Sequence, residues 1–332
     1  MPPVSAACDY HQLPTVDPGV SSTSNGNVGA MAEEDGAKPS GATSAPAAAS
    51  PFTQQVASLF PGSWRGDWLR TAFALFLAVC TAFLNHFVHI WANQRMPRIA
   101  PLPEIWFEYF PEVPTAMKVT EVIMFFLMGS AILVVVSAPQ KAVILARYFL
   151  IVAICYLYRA ICMFVFQPPE PSRLTPCDPP IPNITVATVL QLTAKLAMSG
   201  TLELSQHQAN LCGDLIVSGH TFSLMLPYLT IERYGRSRFF RIVSKLCLLL
   251  VLLGMALILV ARRHYMVDVI FAYFISTRVF WTYHTLLKHP NSPMSKVWWY
   301  EVFRFFEEHN LNGQAMANSG GGLLNNGYDW SE

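Results

Sequence analysis

Six stretches of nearly unbroken apolar residues divide the chain, at roughly 69–91, 117–138, 142–166, 214–231, 244–261 and 264–287. Each approaches the ~20 residues that a helix needs to cross a hydrocarbon core of roughly 30 Å. None shows the period-two alternation of a barrel strand, and a backbone in lipid must satisfy its own hydrogen bonds. The pattern predicts an all-α polytopic membrane protein whose six transmembrane helices occupy residues 65–290. Residues 1–60, typified by "KPSGATSAPAAASP", hold too little apolar surface to offset the entropy of ordering and are expected to form a disordered cytosolic tail. Residues 291–332 are expected to be a cytosolic C-terminal tail, its "VWWYEVFRFF" stretch resting on the membrane surface.

Composition strengthens the membrane reading. Hydrophobic residues make up 53% and charged residues only 13%, against about a quarter charged in soluble domains. A net charge of +1 gives no electrostatic case for nucleic acid. The seven cysteines lack CxxC spacing, which counts against a zinc site. Flanking basic residues, densest in "RYGRSRFFRIVSK", place both termini in the cytosol by the positive-inside rule. The Asn183-Ile184-Thr185 sequon and the cysteines Cys177 and Cys212 then share a lumenal loop, although spacing does not fix which cysteines pair.

That topology brings "YLYRAICMF" of the third span, "CGDLIVSGHTF" of the fourth and "RRHYMVDVIF" of the sixth to one face. His264 and Asp268 lie four apart, hence on one side of a helix, where a carboxylate would fix the tautomer of the imidazole. His220 adds a second proton-transfer group. Two histidines and an aspartate suit phosphoryl transfer through a phosphohistidine, one ring attacking phosphorus while the other protonates the departing oxygen. Arg159, Arg262 and Arg263 are candidates to offset phosphate charge. Blander readings exist for each: HxxxD as an interfacial pair, Arg262 and Arg263 as snorkelling side chains, the three ligand-type groups as a metal site lacking a fourth member. Arg159, inside an apolar span, is the hardest to explain structurally. His86 and His89 read as interfacial-belt residues.

The chain resembles the sphingomyelin synthase family in "PLPE" (101–104), "YRAICM" (158–163), "SGTLELSQHQANLCGDLIVSGHTF" (199–222), "HYMVDVIFAYFISTRVFWTYHT" (264–285) and "VWWYEVFRFFE" (297–307). The resemblance implies a lipid-phosphatase-like active site that moves phosphocholine or phosphoethanolamine from a glycerophospholipid to ceramide, without metal or other cofactor. It implies His220, His264 and Asp268 as the catalytic triad, with Asp214 and Arg159 in supporting roles. A Golgi or plasma-membrane setting follows from the same likeness, and a homo-oligomer is left open. Glu104 replaces the family's usual aspartate, and Met266 its usual threonine. Two other readings stand beside the transferase. A lipid phosphate phosphatase is disfavoured because Ile258 occupies the phosphatases' arginine position, and a non-catalytic ceramide sensor or transporter because all three triad residues are intact.

Overall fold

The computed structural model describes residues 64–174, 177, 179, 185–199, 211–235, 237–289 and 296–307. The tail expected over 1–60 and the Asn183 sequon position lie outside the described residues. Among those described there are helices and no strands. They are α1 (Trp64–Arg95), α2 (Ile105–Tyr109), α3 (Ala116–Ser137), α4 (Lys141–Val165), α5 (Val186–Ser199), α6 (Gly219–Tyr234), α7 (Arg238–Val260), α8 (Met266–Lys288) and α9 (300–307).

Every expected span coincides with a helix, but four meet both length and hydropathy for crossing a bilayer: Gly66–Arg95, Ala116–Ser137, Lys141–Val165 and Arg238–Val260. The chain is thus a multi-pass membrane protein. α6 and α8 fall short for a chemical reason. α6 has 16 residues, about 24 Å at 1.5 Å per residue. α8 carries Asp268, Arg278, His284 and Lys288. These two helices hold the polar chemistry and pack on each other.

Packing follows from which faces are apolar on both sides. α1 lies along α4, α3, α6 and α7 pack against one another, and α8 lies against α6 and α4. Leu127, Leu150, Ile151, Phe222, Leu224 and Phe280 close the centre of the bundle. Outward faces are equally apolar, with Phe76, Phe125, Leu133, Leu249 and Leu252 exposed, as lipid contact requires.

The aromatic C-terminal stretch behaves differently from a surface anchor. Trp299, Phe303, Phe305 and Phe306 are buried, Phe73 of α1 stacks on Phe306 at 5.9 Å, and Trp298 donates to the Tyr158 hydroxyl at 3.0 Å. Glu307, 1% exposed, grips Arg147 of α4 with both carboxylate oxygens at 2.7 and 2.8 Å. The Tyr283 hydroxyl donates to the same carboxylate at 2.9 Å. The inward-facing acid of this largely apolar segment meets a buried arginine, so α9 is part of the bundle.

Candidate active site

Four apolar-flanked segments meet at one end of the bundle: the C-terminal parts of α1 and α4, the loop 211–218 before α6, and the turn before α8. Arg159 organises them. Buried at 6% exposure, it donates through Nε to the Val217 carbonyl at 2.8 Å, through Nη1 to Asn85 Oδ1 at 3.1 Å, and through Nη2 to Asp214. Asn85 is itself fixed by donating to the Tyr156 carbonyl at 2.8 Å. Each guanidinium nitrogen therefore has a protein partner, and Arg159 is engaged in holding the loop. Burial works against ionisation of Asp214, but Arg159, with His89 behind it, outweighs burial and holds the carboxyl below the usual range.

The loop 211–218 delays the helix expected from residue 214. Gly213 has φ of +95°, and Ile216, at φ of 81°, bends the backbone again. A side chain at 213 would meet the α1 backbone at Ala92 and Asn93, 3.2 Å away. Asn93 accepts from the Cys212 N–H at 3.2 Å, His89 Nε2 meets the Leu211 carbonyl at 3.1 Å, and Cys212 is disulfide-bonded to Cys177. Ser218 then caps α6, accepting from the Thr221 N–H at 3.2 Å. Gly219 lies so close to Arg159 that a Cβ there would be 3.3 Å from the guanidinium carbon.

The disulfide closes a loop across 35 positions. Reducing it is expected to destabilise the protein by about 3–4 kcal/mol. Melting with and without reductant tests this, and equal melting temperatures would contradict it.

His220 stands on the first turn of α6 and His264 two residues before α8. Their ring centroids are 5.8 Å apart and the planes 61° from parallel. Nδ1 of each ring is buried without a hydrogen-bond partner. The expectation that His264 and Asp268 share a helix face needs correction: α8 begins at Met266, and His264 precedes it. Asp268 turns back instead, accepting from the Tyr265 N–H at 3.1 Å through Oδ2, which also lies 3.4 Å from His264 Nδ1. Asp268 Oδ1 is buried and unpartnered. The two histidine segments are tied directly, the Ser218 N–H donating to the Asp268 carbonyl at 3.2 Å. Both helices present their N-terminal, electropositive ends here, which favours an anion.

Glu104 of "PLPE" accepts from the Met266 N–H and so secures the first turn of α8. The Tyr265 hydroxyl donates to the Pro169 carbonyl and accepts from the Leu102 N–H, at 3.1 and 3.0 Å. Of the two neighbouring arginines, Arg263 lies within electrostatic reach of Glu170 and Glu121. Arg262 does not join the histidines. It terminates α7 in a left-handed conformation, φ 48°, and its side chain donates to the Phe107 carbonyl at 3.0 Å with the guanidinium 4.6 Å from the Phe107 ring centre. Its role as a phosphate ligand is not supported by this placement.

The sequence reading passed over Asn85 and Asn93 and set His89 aside as an interfacial-belt residue. Spaced four apart on an otherwise apolar helix, they form the polar stripe that contacts Arg159 and the loop 211–212. That spacing was the signal to follow. It also passed over Glu170, whose carboxyl burial pushes up to about 7, against the pull of Arg263 and His264. Glu170, Cys177 and Cys212 lie close enough together to suggest ion binding, but the two sulfurs are bonded to each other and offer no thiolate.

Comparison with known proteins adds the last observation. A family profile described as PAP2 superfamily C-terminal matches residues 211–285, which contain both histidines and Asp268. Phosphatidylcholine:ceramide cholinephosphotransferase 1 of Mus musculus is 34% identical over 269 residues, 78% of this chain and 62% of the relative. Phosphatidylcholine:ceramide cholinephosphotransferase 2 of Mus musculus is 35% identical over 260 residues, 75% of this chain and 69% of the relative. Sphingomyelin synthase-related 2 of Caenorhabditis elegans is 36% identical over 203 residues, 61% of each chain. The chain thus spans about 62% of the length of the first of these relatives.

Proposed function

The chain belongs to the sphingomyelin synthase, or ceramide cholinephosphotransferase, family, and from that membership we propose that it transfers a phosphocholine or phosphoethanolamine head group from a glycerophospholipid to ceramide. The observation that carries this reading is the pair of imidazoles 5.8 Å apart, one of them against a buried carboxylate. His264 Nε2, its other nitrogen facing Asp268, attacks phosphorus. The bond from phosphorus to the diacylglycerol oxygen breaks, and His220 gives that oxygen a proton. His220 then takes the proton of the ceramide primary hydroxyl, whose oxygen attacks phosphorus as the phosphorus–nitrogen bond breaks. Products are diacylglycerol and the ceramide phosphodiester, and both histidines return to their starting states. The electropositive ends of α6 and α8, with Arg263 nearby, suit the phosphoryl charge, while Arg159 and Asp214 keep His220 in register.

Six membrane crossings fit the alternation of α1, α3, α4, α6, α7 and α8, with the two polar helices packed on each other. Burial of Asp268 and His284 among protein neighbours makes that arrangement tolerable. A disulfide at the histidine end favours an oxidising, lumenal or extracellular side for the chemistry, with both termini cytosolic. A Golgi or plasma-membrane location accords with this orientation. Both lipids stay in the bilayer while their polar ends reach the site, and limited water access there favours transfer over hydrolysis.

Purified protein given labelled ceramide and phosphatidylcholine or phosphatidylethanolamine in turn is expected to yield labelled phosphodiester and diacylglycerol in equal amounts. Release of free head-group phosphate or inorganic phosphate without labelled product would replace the reading with a phosphatase.

A further inference from the structure

A groove of about 500 Å³ opens between the segment after α1 and the loop after α4, lined by Met96 to Pro101 and by Glu170, Ser172, Arg173 and Cys177. The mechanism above uses none of these residues. Three ties bring Glu170 beside the histidine pair and hold it there. The preceding carbonyl, Pro169, accepts from Tyr265, the residue next to His264. Ser172 donates to Glu112, which anchors the following turn. The Gly213 N–H donates to the Glu170 side chain, and this carboxylate feels the charges of His264, Asp214 and Arg263. Its oxygen lies within 4.8 Å of both disulfide sulfurs, so the position is fixed on that side as well.

We propose that Glu170 recognises the cationic ammonium of the donor head group, whose phosphate sits at the histidine pair and whose short ethylene arm points into this groove. This rests on the head-group-transfer reading. A phosphocholine or phosphoethanolamine is a zwitterion, so a site that meets its phosphate with cationic groups needs an anion a few ångströms further on. Glu170 is a half-buried carboxyl that both lines the groove and lies within reach of His264. The two arginines of the groove do not cancel it. Arg98 and Arg173 are exposed, where water and salt screen them, and Arg98 donates to the Cys177 carbonyl at 3.4 Å. Burial makes a charged carboxylate costly at Glu170 even with Arg263 in electrostatic reach, and a bound cation offsets that cost, so the residue discriminates charge at the position where the donors differ from neutral lipids.

The test compares Glu170→Gln with the unaltered protein in vesicles, using phosphatidylcholine, phosphatidylethanolamine and a donor whose head group is the neutral carbon isostere of choline, a tert-butyl group in place of trimethylammonium. The unaltered protein is expected to prefer either cationic donor over the neutral one by about tenfold or more in kcat/KM, the loss of one charge-assisted contact. In E170Q that preference collapses, while KM for ceramide is unchanged. A preference that persists in E170Q overturns the inference, and leaves the transferase reading intact because the unaltered protein still makes product. If E170Q does not reach the membrane, Glu170→Asp takes its place. It is expected to lower kcat/KM for the cationic donors alone, and an unchanged value for them would overturn the inference equally.

Discussion

His264→Ala is expected to lower ceramide head-group transfer by about 10⁴-fold or more, with the protein still folded and at its usual abundance. His264 is 2% exposed and its ring meets that of His220 at 5.8 Å, so the change removes the proposed nucleophile without touching the lipid-facing surface. His220→Ala should fall to a similar level, because each half-reaction needs both rings. The double variant should be no worse than either single one, since groups that act as a unit do not contribute additively. The labelled-ceramide assay reads all three, alongside melting curves. Transfer retained by H264A at a tenth of the original rate would end the phosphohistidine mechanism.

Glu307→Ala is expected to cost about 3–5 kcal/mol of stability, the penalty for leaving a buried charge without its partner. Arg147 is 6% exposed and held by both oxygens of Glu307, and the Tyr283 hydroxyl loses its acceptor in the same change. The melting temperature of detergent-purified protein should drop well beyond the effect of Glu301→Ala, whose side chain is exposed. Changing Arg147→Met together with Glu307→Leu should recover most of the loss, because an apolar pair of similar volume substitutes for a buried ion pair at little cost. Transfer per folded molecule should be near normal in each, as Arg147 lies roughly three turns of α4 away from Arg159. A melting temperature unchanged in E307A would mean that α9 does not dock in solution.

Much of the architecture could be read from the chain because lipid imposes simple rules. Apolar runs became helices close to the expected places. His220, His264, Asp268 and Arg159 stood out because charge is costly in such surroundings, Asp214 through the family resemblance, and the structure gathers them at one end. The finer geometry was hidden. Nothing in an i,i+4 spacing tells that α8 starts after His264, since that depends on Glu104, distant in sequence, accepting the Met266 N–H. Arg262 and Arg263 look alike on paper, yet one left-handed residue at the end of α7 sends them in different directions. Glu170 sits in a proline-rich stretch with no periodicity to give it away, and only tertiary ties bring it beside His264. The C-terminal aromatics misled because nothing local shows that Glu307 pairs with Arg147, 160 positions earlier.

The clasp between Ser218 and Asp268 uses peptide atoms alone, an N–H and a carbonyl. Any amino acid except proline supplies that N–H. Replacements in the lining can therefore retune which lipids are accepted while the spacing between the two halves of the pocket persists. Such a scaffold lends itself to laboratory diversification: libraries that vary the walls and spare only proline at 218 should yield altered head-group preferences far more often than collapsed proteins.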